Sequence, residues 1–130
     1  MPTLTISDER PAGGVIDSFV LEVPAPRISV RELIEYRVQD EVRRHNANLQ
    51  VPFRGLVQPR PEEVELNGPR DSGRRPVDWR RQVEVAVEAF LHNGFFILVG
   101  ERQVDSLDEE IDLETIDTAT FIRLVPLVGG

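Results

Sequence analysis

The sequence predicts an α+β fold, and three observations carry that prediction. Near its start and again near its end, short runs of alternating or β-branched and aromatic residues flank glycine-containing turns, the pattern of β-hairpins. Between them stand two stretches with apolar residues at helical spacing, each opened by a residue suited to an N-cap. A last run rich in Thr and β-branched residues, 118–125, reads as a closing strand.

Thr3-Leu4-Thr5-Ile6 alternates polar with apolar, residues 8–14 (DERPAGG) are turn chemistry, and Phe19-Val20-Leu21-Glu22-Val23 is extended again. This predicts a first hairpin with a long, loose tip. Pro24 and Pro26 close its second strand. Ser29-Val30-Arg31-Glu32 is a capping box, in which the Ser hydroxyl and the Glu carboxylate each take one of the other's orphan amides. Ile28 and Leu33 stand at staple spacing around it. Val30, Ile34, Val38 and Val42 repeat every fourth residue with Leu33 beside them, one apolar stripe to lay on a sheet.

Residues 46–76 read as an insertion. Its first part, 49–57, is a short apolar piece holding Pro52, Phe53 and Gly55. Its second part, with Pro59, Pro61, Gly68, Pro69, Gly73 and Pro76, is expected to be an exposed, mobile loop carrying Arg70, Arg74 and Arg75. A second helix comes next, capped by Asp78 and ended by Asn93-Gly94 in left-handed conformation. Trp79, Val83, Ala86, Val87, Phe90 and Leu91 fall at the spacing of one buried face, with Trp79 as a core anchor.

This helix feeds straight into Phe95–Val99, a strand, then the turn Gly100-Glu101-Arg102, then Gln103-Val104. Residues 106–111 have the length of one tight helical turn. The closing strand stops near Val125, because Pro126 has no amide with which to continue a ladder. Leu127-Val128-Gly129-Gly130 end the sequence; glycines lack a Cβ and can run extended through a slot too narrow for side chains.

Composition narrows the function classes. A chain of 130 residues suits one domain, 1–130. It holds no cysteine, hence no disulfide, thiolate nucleophile or cysteine metal site, and a reducing compartment fits; with no apolar run near the roughly 20 residues of a membrane span, a cytoplasmic location is expected. The net charge of −8 argues against nucleic acid and for partners with basic faces. All 15 basic residues are arginine.

The chemistry of an enzyme is not found. His45 and His92, the two histidines, lie near helix ends as partly exposed structural imidazoles, and no phosphate loop, metal-ligand spacing or nucleophile elbow is present. The acids Asp105, Asp108, Glu109, Glu110, Asp112 and Glu114 form a solvated face, or one that meets a basic partner. No catalytic residue, metal or cofactor is therefore expected.

Taken together, the second hairpin (Ile97 to Val104), the acidic Leu-containing turn, the last strand and the Gly-Gly ending resemble the ubiquitin-like, β-grasp proteins. The likeness covers residues 95–130 closely and 1–45 in outline, where strand, strand, helix is the family's opening. It implies a β-grasp mixed sheet with a main helix, plus an inserted loop and second helix between the first helix and the third strand. Which helix fills the groove of the grasp stays open. The ending Pro126-Leu127-Val128-Gly129-Gly130 is similar to that of the molybdopterin and thiamine sulfur carriers.

For function, the resemblance implies a protein modifier. Gly130, with Gly129 before it, would be adenylated by an activating enzyme that recognises Pro126, Leu127 and Val128, and passed by way of a conjugating enzyme to target proteins. A JAMM-type deconjugating protease belongs to the bacterial operons of this kind, some of which act in antiphage defence. The alternatives are a sulfur carrier with a thiocarboxylate at Gly130, and a non-covalent assembly module. Family members use an apolar patch on the sheet beside the tail, which puts forward Ile97, Leu124 and Leu127. Phe121-Ile122-Arg123-Leu124 does not alternate cleanly, so either parity could face inward, and a core position for Ile97 stays open.

Overall fold

The computed structural model describes residues 2–50, 53–57 and 76–124. Within them run β1 (Thr3–Glu9), β2 (Val15–Glu22), β3 (Arg27–Ser29), α1 (Val30–Ala47), α2 (Trp79–Leu91), β4 (Phe95–Val99), β5 (Arg102–Val104), β6 (Glu110–Asp112) and β7 (Thr118–Arg123). The fold is α+β, as expected. Two compact units divide it: Met1–Leu33 with Phe90–Gly130, and Ile34–Ala89.

The first unit holds a mixed five-stranded sheet in the order β2-β1-β7-β4-β5. β1 and β7 are parallel and the other neighbours antiparallel. One face is apolar and buried: Leu4, Ile6, Leu21, Phe95, Ile97, Val99, Ala119 and Phe121. Alternation sets this directly, since β4 buries every second residue and its pairing with β7 sets Ile97 opposite Phe121. The rings of Phe90, Phe95 and Phe121 follow one another at centroid distances of 5.8 and 5.9 Å.

The first hairpin is longer than its sequence suggests. β1 continues through Asp8 and Glu9, β2 begins at Val15, and the tip closes with the Arg10 amide donating to the Gly14 carbonyl (3.1 Å). Asp8 reads as turn chemistry, yet its carboxylate is buried and faces Arg123 of β7 at 3.7 Å. At the second hairpin, Gly100 takes a φ of 64° between the paired Val99 and Arg102, the first central position of a II′-type turn, where a Cβ would be strained.

The expected helical turn over 106–111 is shorter than its acidic spacing suggests. Only 106–109 turn, with the Ser106 carbonyl accepting the Glu109 amide. Glu110–Asp112 is instead a strand, β6, paired antiparallel with β3. The pairing seats Ile28 opposite Ile111, both buried, a long-range contact with no local signal. Beside it, the first amides of α1 are all taken: Val30 donates to Glu109 O, Arg31 to Leu107 O, and Glu32 to Ser29 Oγ at 3.1 Å. The Ser29 amide donates to Glu32 Oε1 at 2.9 Å, completing the expected capping box.

The second unit has its own buried set: Ile34, Val38, Val42, Phe53, Leu56, Val83, Ala86 and Val87. Glu41 Oε2 accepts from Arg37 Nε (3.2 Å) and Glu41 Oε1 from the Leu56 amide (3.1 Å), while Gln82 Nε2 donates to the Val57 carbonyl (2.6 Å). Gly55 has no room for a side chain, because a Cβ there would lie 2.5 Å from Phe53 Cζ. Asp78 caps α2 through the Arg80 amide (3.0 Å), and Asn93 has the left-handed φ of 62° that the Asn93-Gly94 ending predicts.

Two expected side-chain placements are corrected. Trp79 is not a core anchor: it sits in the first turn of α2, 36% exposed, with the Arg80 guanidinium 4.8 Å from its ring centroid. The buried stripe starts one turn later at Val83 and ends at Phe90, leaving Leu91 exposed. His45 is buried rather than partly exposed, its ring edge-on to Phe53 at 5.2 Å. Most of the expected insertion, with Arg70, Arg74 and Arg75, lies outside the described residues. Among the described residues no helix is long and apolar enough to cross a membrane.

Candidate functional site

The site expected from sequence is the end of β7 and the tail beyond it. Pro126, Leu127, Val128, Gly129 and Gly130 lie outside the described residues, as does Val125. The sheet surface that leads to them is described. β7 is the middle strand, held by β1 on one side and β4 on the other, and it ends at Arg123.

The parity left open by the sequence is set by pairing. Phe121 faces the core and is fully buried; Ile122 and Leu124, on the alternate parity, are half-buried. Leu124 therefore stands at the exit on the outer side. Ile97 does not join it: at 0% exposure it is a core residue and offers no surface to a partner. Its neighbours Phe96 and Leu98, half-buried, face the other way, opposite Ile122 and Thr120.

Across the sheet the register extends this surface. Ile122 neighbours Glu9 on β1, and Glu9 in turn is opposite Val15 on β2. A bulge lies here: Asp8 pairs with Asp17 and Glu9 with Val15, so Ile16 is the extra residue. Two β2 residues then oppose one on β1, which sets Val15 and Ile16, 59% and 44% exposed, beside Glu9. The outer face at this end thus presents Val15, Ile16, Glu9, Ile122, Phe96 and Leu124. Ser7 Oγ donates to Glu9 Oε2 at 3.4 Å, and among the described residues no cation pairs with Glu9.

Sequence reasoning missed Phe96, Ile122, Val15 and Glu9. The alternation of Phe95–Val99 already separates 95, 97 and 99 from 96 and 98; it lacks only which set is inward. The bulge has no local sequence signal at all.

The acidic stretch is divided rather than gathered. Glu109 is ion-paired with Arg102, Asp112 faces Arg27 at 3.8 Å, and the Asp112 side chain also accepts the Glu114 amide at 3.0 Å. Among the described residues no group of three or more His, Cys, Asp or Glu could hold a metal. Compared with protein-family models, with curated proteins and with solved structures, the chain finds no match.

Proposed function

We propose that this chain is a ubiquitin-like protein modifier of β-grasp architecture, acting in a bacterial conjugation pathway. In the reaction envisaged, the Gly130 carboxylate attacks the α-phosphorus of ATP on an activating enzyme, releasing pyrophosphate and leaving an acyl adenylate. A cysteine thiolate of that enzyme or of a conjugating enzyme displaces AMP to give a thioester. An amine of a target protein then displaces the thiol and forms an amide. A JAMM-type deconjugating protease would reverse the last step. The catalytic groups belong to these partners; the chain supplies the acyl group and the surface by which they hold it, in the cytoplasm.

The observation that carries this reading is the central place of β7, parallel to β1, directly before Pro126-Leu127-Val128-Gly129-Gly130. A mixed five-stranded sheet with hairpins on either side of that parallel pair is compatible with a β-grasp. The half-buried apolar residues Phe96, Leu98, Ile122 and Leu124 supply the patch beside the exit that the reading needs. A sulfur carrier is the second reading, on the Pro-Leu-Val-Gly-Gly sequence alone; against it stand the insertion over 46–76 and the second helix, α2, which a thiocarboxylate donor does not require.

Mass spectrometry of the protein recovered from its own cells separates the readings. Acyl adducts on other proteins through Gly130 support the modifier, sulfur on the Gly130 carboxyl supports the carrier, and an unmodified chain points to a non-covalent assembly module. Replacing Gly129 with a bulky residue is expected to abolish both kinds of adduct.

A further inference from the structure

We propose that the outer face of the sheet at the end of β7 docks a protein segment presenting one arginine or lysine between apolar side chains, with Glu9 as the residue that selects it. This deepens the modifier reading by stating the chemistry of the protein met there, and its test uses no conjugation machinery, so the two fail separately.

The arrangement is a carboxylate set inside an apolar row. Register places Glu9 between Val15 on β2 and Ile122 on β7, with Phe96 on β4 beyond. The bulge at Ile16 adds a second exposed apolar side chain on the β2 side. An entirely apolar partner covering this row would strip water from Glu9 and give nothing back, and burying an uncompensated charge costs more than the surrounding apolar contact returns. Ser7 Oγ, at 3.4 Å, is a weak hydroxyl donor and not a counter-charge. The nearest arginine along β7, Arg123, is on the core-facing parity, where it meets Asp8. The partner must therefore bring the cation.

Charge also decides what the partner is. Residues 1–33 and 90–130 hold 13 acids and 5 arginines, so the unit that carries this face bears the full net charge of −8, while residues 34–89 balance at 10 and 10. Phosphate backbones and anionic lipid surfaces are repelled by such a unit. A basic side chain flanked by apolar ones on a polypeptide satisfies both the field and the row.

The test pans a random peptide library against the folded full chain and against its Glu9→Gln and Glu9→Lys variants, each checked for an unchanged melting temperature. Binders selected on the parent are expected to carry a basic residue between apolar ones and to bind Glu9→Gln about tenfold or more weakly. Glu9→Lys should instead select acidic sequences. On the ¹⁵N-labelled parent, these binders should shift the amides of Glu9, Val15, Phe96 and Ile122. Selected peptides without a basic residue, equal affinity for Glu9→Gln, shifts confined to the acidic turns over 105–117, or no binder at all would each overturn the proposal.

Discussion

Asn46 grips Val77 from both sides: its Nδ2 donates to the Val77 carbonyl at 3.1 Å, and its Oδ1 accepts the Val77 amide at 2.9 Å. One side chain near the end of α1 thus satisfies the backbone just ahead of α2, across 31 positions of sequence. Asn46→Ala removes both bonds and is expected to lower unfolding free energy by about 1–2 kcal/mol. Asn46→Asp keeps the acceptor but sets a carboxylate oxygen against the Val77 carbonyl, so its loss should equal or exceed that of alanine. Urea unfolding of the three proteins decides it; a fully stable Asp variant would mean that the Val77 carbonyl is not held by this side chain.

Gly55 should tolerate nothing larger. Its φ is not in the left-handed region, so strain is not the issue; space is. A Cβ would stand 2.5 and 2.8 Å from Phe53 Cζ and Cε2, and 3.0 Å from Glu41 Oε1. Gly55→Ala is expected to cost roughly 1–3 kcal/mol as overpacking. The double variant Gly55→Ala, Phe53→Leu should recover part of that loss, since it removes the ring in the way. No loss in the single variant, by thermal unfolding, would show that the 53–57 segment does not pack as described.

The two sides of β4 should answer an arginine scan in opposite ways. Ile97→Arg buries a charge in a fully enclosed position and is expected to cost several kcal/mol, about 4 or more, in a cooperative melt. Phe96→Arg, on the half-buried outer side, should cost about 1 kcal/mol or less and, under the modifier reading, impair activation of Gly130 by an activating enzyme. Stable Ile97→Arg beside unfolded Phe96→Arg would reverse the parity assigned to the sheet.

Local chemistry made the ends of the helices legible in advance. Ser29 with Glu32, Asp78, and Asn93 each act within a few residues of sequence, and each is found in its expected role. The elements that escaped depend on partners far away in sequence. Glu110–Asp112 becomes a strand because Arg27–Ser29, far earlier in the sequence, lies beside it. Trp79 carries the right spacing but falls one turn outside the buried stripe.

The candidate site was half legible for the same reason. The sequence left open which parity of Phe121-Ile122-Arg123-Leu124 faces inward, and Ile97 went to the core because the choice between two apolar parities is made by β1 and β7 pairing, not by β4 itself. Glu9 looks like part of a polar turn in sequence. Only the parallel register with Ile122 and the bulge at Ile16 set it in an apolar row.

Under the modifier reading, the chain should not form side-chain-linked chains of itself. Isopeptide formation needs a neutral amine as nucleophile, and all 15 basic side chains here are guanidinium groups that stay protonated at any working pH. Their exposure makes no difference to this: Arg43 is 76% exposed and Arg27 63%, yet neither can attack a thioester. Conjugates are therefore expected as single additions to a target, or as chains through an ester to Ser or Thr or through the α-amine of the chain. Arg43→Lys creates one accessible amine at a position whose ion pair with Asp40 a lysine can keep. That variant, incubated with ATP and the activating and conjugating enzymes, should gain self-adducts at residue 43 that resist hydroxylamine, identified by peptide sequencing. Adducts of the parent that hydroxylamine removes would mark ester linkage. A parent ladder that withstands both hydroxylamine and alkali, with its branch points at internal side chains, would contradict this expectation, because no side chain of this sequence offers the required amine.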